Sequence, residues 1–232
     1  MTDPTISITT SDGTFNAYVA RPASMPAPAV VVIQEIYGVN AVIRDVADRL
    51  AGEGFLAVAP DLFWRIEPGL DLTDQTPQGN ARAFELFGLF DVDTGVEDVD
   101  ATIEAVRDLT DCTGKVGVVG YCLGGKLAFL AATRTDADAS VGYYGVGLES
   151  LVGEAETLVH PLLLHIAEED QYVPKTAQAV VLAGLQNHPH AQLHVYPGRG
   201  HAFARPGGAN YDKTDASLAD QRTQAFLNAN LK

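Results

Sequence analysis

Positive charge is scarce in this chain. Only 15 lysines and arginines stand against 30 aspartates and glutamates in 232 residues, a formal charge of −15 at neutral pH. A chain so acidic lacks the electrostatic footprint that nucleic acid or an anionic membrane surface demands, so neither is expected as a partner. Cysteine is scarcer still. The two present, Cys112 and Cys122, give no basis for a disulfide framework and do not stand at metal-ligand spacing. No metal and no other cofactor is therefore expected. No apolar run approaches the ~18 residues of a membrane span. The opening TDPTISITTSDGTF has neither the basic start nor the apolar stretch of a signal peptide. A reducing, cytoplasmic setting is the expectation, and it would keep a thiol available.

Apolar residues, by contrast, make up 47% of the chain, enough for a substantial core. They fall into alternating strand and helix patterns. Strands 6–10 and 15–21 flank the turn signal Ser11-Asp12-Gly13 and predict a hairpin. AVVVIQ at 29–34 is apolar on both faces, as a strand inside a sheet must be. A helical pattern over 42–53 and a strand over 55–59 follow, and residues 60–79 read as a loop or lid excursion. Helices are predicted over about 80–90 and 94–109, then a strand and a helix ending near 134. Strands over 139–144, 160–167 and 191–196 complete the pattern, with helices over 174–187 and 214–229. This alternation predicts one α/β domain over 1–232, a doubly wound, mostly parallel sheet flanked by helices. A monomer is expected.

The chemistry centres on residues 114–126, GKVGVVGYCLGGK. A short strand turns through Gly120-Tyr121-Cys122-Leu123-Gly124 into a helix, the G-x-S-x-G nucleophile elbow with sulfur in place of oxygen. The turn is too tight for side chains at Gly120 and Gly124. It pushes Cys122 out at a helix N-terminus, where a thiolate is favoured. The bland alternative is a buried cysteine in a glycine-rich turn.

Functional groups of such sheets collect at the carboxyl ends of strands. After the strand ending at Ala167 come Glu168, Glu169 and Asp170; after the one ending at Tyr196 comes His201. Nucleophile, acid and base then read Cys122, Asp170, His201 in chain order, with Glu169 as the alternative acid. The imidazole would take the thiol proton and the acid would orient it. His160, His165, His188, His190 and His194 read as structural or solvated. Glu35 directly follows the central strand and should reach the same sheet edge as Cys122, where a carboxylate discourages a thiolate. Glu35 and His201 would then push the cysteine in opposite directions. The backbone N–H groups of Ile36 and Leu123 are the candidate oxyanion hole.

These residues resemble the dienelactone hydrolase (carboxymethylenebutenolidase) family of α/β-hydrolases. The resemblance rests on QEIYGVN at 34–40, APDLF at 59–63, GKVGVVGYCLGG at 114–125, VGYYGVGLE at 141–149, EDQYVP at 169–174 and GHAFAR at 200–205. It implies hydrolysis of a small anionic enol lactone to maleylacetate without a cofactor. It implies a triad matching Cys122, Asp170 and His201, and a cysteine held neutral by Glu35 until substrate displaces the carboxylate. Substrate contacts would come from Arg205, Arg82, Tyr37, Phe84 and Phe87. A second family arginine falls on Asn80, with Arg82 two residues on, a rotation of roughly 200° on a helix. A tyrosine and a tryptophan are familiar where Phe84 and Phe87 stand, and serine where Ala202 stands. A broader carboxylesterase or thioesterase, and a non-catalytic binding protein on the same fold, are the other readings.

Overall fold

The computed structural model describes residues 4–232. Eight strands form one sheet in the order β1-β2-β4-β3-β5-β6-β7-β8. These are β1 (Thr5–Thr10), β2 (Gly13–Ala20), β3 (Ala27–Ile33), β4 (Leu56–Pro60), β5 (Cys112–Tyr121), β6 (Ala139–Tyr143), β7 (Leu162–Ala167) and β8 (Ala191–Tyr196). The β1–β2 and β2–β4 pairs are antiparallel, while β3–β4, β6–β7 and β7–β8 are parallel. Contacts divide the chain into two compact units, one ending at Gly117 and the other beginning at Val118.

In the first unit every residue of β3 is buried, as its two-sided apolar pattern requires. The strand begins at Ala27, ahead of the predicted start, and takes Pro28 into its first turn of pairing. Helix α1 (Ala41–Gly52) is capped by Asn40, whose side chain accepts the Ile43 amide at 3.2 Å. Helix α2 (Pro77–Leu89) starts three residues before the sequence pattern placed it. Thr76 caps it by accepting from the Gly79 amide at 3.1 Å, and Pro77 occupies the first turn, where its missing N–H costs nothing. Helix α3 (Val92–Arg107) is capped by Asp91.

The excursion between β4 and α2 is bolted down. The Asp61 carboxylate accepts from the amides of Phe63 and Gly69, and Asp98 holds both the Trp64 indole (2.8 Å) and Arg65. Further on, Leu72 donates to the Tyr37 carbonyl and Asn40 to the Leu72 carbonyl, both at 3.0 Å. Gly38, at φ 77°, lets this segment close: a Cβ there would sit 2.2 Å from the Leu70 carbonyl oxygen.

In the second unit α4 (Leu123–Arg134) follows β5, with α5 (Lys175–Leu185) between β7 and β8 and α6 (Lys213–Leu231) at the end. Two short 3₁₀ turns, Leu148–Ser150 and Val152–Thr157, occupy a stretch the periodicity left unassigned. Helix α4 is apolar nearly all round and correspondingly buried, from Leu127 to Ala132. No helix among the described residues is long and apolar enough to cross a membrane.

Candidate active site

The turn from β5 into α4 has the backbone the elbow demands. Cys122 sits at φ 57° and ψ −110°, a conformation costly for a non-glycine residue. Glycine at position 120 is obligatory, because a Cβ there would lie 1.9 Å from the Gly124 carbonyl oxygen. The strained residue is held from both sides. Its N–H donates to the Tyr143 carbonyl at 3.0 Å, and its own carbonyl accepts from Lys126 at 3.1 Å. No side chain caps α4, so no side-chain oxygen takes up the amides of its first turn. Leu123 itself is fully buried.

The loops after β7 and β8 bring acid and base together. His201 Nδ1 lies 2.7 Å from Asp170 Oδ2, and both side chains are buried. The other Asp170 oxygen accepts the Tyr172 amide at 2.8 Å, which fixes the plane of the carboxylate. Glu169, the alternative acid, is turned outward and pairs with Lys175. The base is clamped through its backbone as well: Asn210 donates to its carbonyl at 2.8 Å, and its N–H donates to Gln171 Oε1 at 3.4 Å. Ala202, directly after it, takes φ 61°, so the chain reverses sharply past the imidazole. The rings of Tyr144 and Tyr172 meet the imidazole edge-on at 5.1 and 4.9 Å.

Burial alone would lower the imidazole pKa. Hydrogen bonds to Asp170 and to Cys122, with their charges, outweigh burial and push it up to about 10. The site therefore favours the protonated imidazole.

The remaining sequence-predicted residues fall as follows. Arg205 is half-buried in a turn two residues past Phe203, its side chain packed over Gly208. Glu35, Ile36 and Tyr37 are buried just after β3 in the first unit. The Tyr37 hydroxyl donates to Asn80 Oδ1 at 2.7 Å, and the Asn80 amide nitrogen donates to the Asp74 and Thr76 carbonyls. Asn80 is thus a strut within its own unit. Arg82 is gripped by Glu67 at 2.5 Å and Glu85 at 2.6 Å. Phe84 and Phe87 lie on the exposed face of α2. Sequence reasoning missed the tyrosine wall around His201 and the role of the Tyr143 carbonyl. The signal was the Tyr143-Tyr144 pair closing a buried strand. Among the described residues no group of three or more His, Cys, Asp or Glu could hold a metal ion.

The sequence profile described as the dienelactone hydrolase family matches residues 15–231. The carboxymethylenebutenolidase of Pseudomonas putida is 43% identical over 223 residues, covering 96% of this chain and 94% of that one. A relative in Azospirillum brasilense is 49% identical over 221 residues, 95% of either chain. A crystal structure from Klebsiella pneumoniae subsp. pneumoniae MGH 78578 superposes with a TM-score of 0.84 at 31% identity, covering 97% of both chains.

Proposed function

Since the chain belongs to the dienelactone hydrolase family, we propose that it hydrolyses a small, carboxylate-bearing enol lactone with Cys122 as nucleophile, His201 as base and Asp170 as its orienting acid. One arrangement carries this reading: a cysteine at a strained elbow, hydrogen-bonded to an imidazole whose far nitrogen is 2.7 Å from a buried carboxylate. With the thiol proton already on His201, sulfur attacks the lactone carbonyl carbon, forming a C–S bond and an oxyanion. The Leu123 amide at the start of α4 receives that charge; Ile36, as second donor, enters on sequence grounds alone. Collapse breaks the ring C–O bond, and the enol oxygen leaves with the proton returned by His201. Water, giving one proton to the same imidazole, then attacks the thioester; the C–S bond breaks, releasing the second carboxylate and leaving the sulfur as thiolate beside the imidazolium. Glu35 as a restraint on the thiol likewise comes from sequence reasoning.

A broader carboxylesterase or thioesterase activity is favoured by one observation. Arg82 is held by two glutamates, and the donors of Asn80 are committed to carbonyls, so anion recognition would fall to Arg205. Turnover of dienelactone beside a panel of neutral lactones, esters and thioesters separates the readings. Cys122→Ala should abolish turnover and Cys112→Ala should not; equal losses would sink the assignment. A protein that turns over none of the panel would be a binding protein.

A further inference from the structure

A buried polar chain that the mechanism does not use lies behind the nucleophile and the base. His165, on β7, places Nδ1 2.7 Å from the Tyr196 hydroxyl on β8 and Nε2 3.0 Å from Thr223 Oγ1 on α6. The same threonine oxygen is 2.6 Å from the Tyr143 hydroxyl on β6, which donates to Asp220 Oδ1, again on α6, at 3.1 Å. His165, Tyr143, Tyr196 and Thr223 are all buried.

The direction of every bond follows from the carboxylate end. An ionised Asp220 only accepts, so Tyr143 gives it its one proton. Tyr143 must then accept from Thr223, which leaves Thr223 only lone pairs for His165. Nε2 therefore carries the imidazole hydrogen, and Nδ1 accepts from Tyr196. Arg222 flanks the far end, its guanidinium over the Tyr196 ring at 5.4 Å from the centroid. The order Tyr196→His165→Thr223→Tyr143→Asp220 needs a neutral imidazole in one tautomer. Burial, with His194 and Arg222 close by, holds the His165 pKa well below its ordinary value.

The chain touches the candidate site at both ends. The Tyr143 ring stacks on Tyr121 at 4.6 Å, and its carbonyl is the acceptor for the Cys122 amide. Tyr144 donates its N–H to the His165 carbonyl at 2.8 Å and sets its ring against His201. The Tyr196 ring lies 4.6 Å from Phe203, two residues past the base.

We propose that His165 is a positioning residue: through a hydrogen-bond chain of fixed direction it ties α6 to the carboxyl ends of β6, β7 and β8, and so holds the Tyr143 carbonyl under Cys122 and the ring wall against His201. The proposal rests on Cys122 and His201 acting as above. That premise is checked separately, by whether alkylation of Cys122 in the unsubstituted enzyme removes activity in step. The titratable and charged groups around His165 and its chain are Tyr143 from β6, His194 and Tyr196 from β8, and Arg222 from α6, with Asp220 on Tyr143 and Asp215 acting on Tyr196.

Thr223→Val keeps the shape and removes the hydroxyl; Thr223→Ser keeps the hydroxyl. Misplacing reacting groups by about an ångström costs on the order of a hundredfold in rate. The valine variant should therefore lose roughly ten- to hundredfold in kcat with KM little changed, and the serine variant should stay close to wild type. Nitrogen NMR of the unsubstituted protein should find His165 with its hydrogen on Nε2. A folded valine variant with wild-type kcat, or a hydrogen on Nδ1, would overturn the proposal. Should the valine variant not fold, Tyr143→Phe cuts the same chain at its last link and is read in the same way.

Discussion

Asp170→Asn is the most informative single substitution, because both carboxylate oxygens are committed. One accepts the Tyr172 amide at 2.8 Å and the other holds His201 Nδ1 at 2.7 Å. An asparagine has one oxygen for two donors. Leaving the oxygen on the Tyr172 amide turns the NH₂ toward Nδ1, which must then accept, and the hydrogen moves to Nε2, where the thiol proton should go. Turning the oxygen to His201 instead sets the NH₂ against the part-buried Tyr172 N–H. Either arrangement costs about 1–3 kcal/mol for the mismatched pair, and a charge-assisted hydrogen bond worth about 1.5–3 kcal/mol is lost as well. The sum, roughly 2.5–6 kcal/mol, corresponds to a loss of about 10²–10⁴ in kcat/KM. The imidazole pKa should fall from about 10, since Asp170 is one of its two supports. The sign for stability follows from linkage. The unfolded imidazole releases its proton near 6.5 and the folded one near 10, so this stabilisation is complete below 6.5 and lost as pH rises between the two. The variant should show a flatter decline over that window in denaturant titrations. An Asp170→Asn enzyme within a few-fold of wild type, with the His201 titration unmoved, would refute the reasoning.

Three further outcomes are expected. Arg205→Met should lower kcat/KM for a carboxylate-bearing lactone by about ten- to hundredfold and hardly touch a neutral ester of similar size, while Arg82→Met, already neutralised by Glu67 and Glu85, should change neither; equal losses on both substrates would make Arg205 a structural residue. Gly120→Ala drives a Cβ to 1.9 Å from a backbone oxygen that cannot swing aside, so it should cost about 3 kcal/mol or more and lower Tm by roughly 6–12 °C in calorimetry. Glu35→Gln should let iodoacetamide react with Cys122 at lower pH; a pH profile identical to wild type would remove Glu35 from the mechanism.

Much of this architecture was legible because single segments carry it. β3, β4 and β7 are apolar on both faces, as strands inside a sheet covered on both sides must be. The elbow was legible because its glycines answer a local steric demand, seen at Gly120. The start of α2 was misread because Thr76-Pro77 looks like a loop until the threonine is seen capping a helix that tolerates proline in its first turn. Long-range pairing was out of reach. Arg82 looked available because Glu67, fifteen residues back, is brought to it only by the bolted excursion. The tyrosine wall and the His165 chain join β6, β7, β8 and α6, whose adjacency no periodicity encodes.

The central claim, that Cys122 is the nucleophile activated by His201, is tested most directly by titrating the enzyme with iodoacetamide while mapping the label by mass spectrometry. One equivalent should land on Cys122 and remove activity in proportion, and His201→Ala should slow that labelling. Full labelling of Cys122 with activity intact, or inactivation that follows Cys112 instead, would contradict the account.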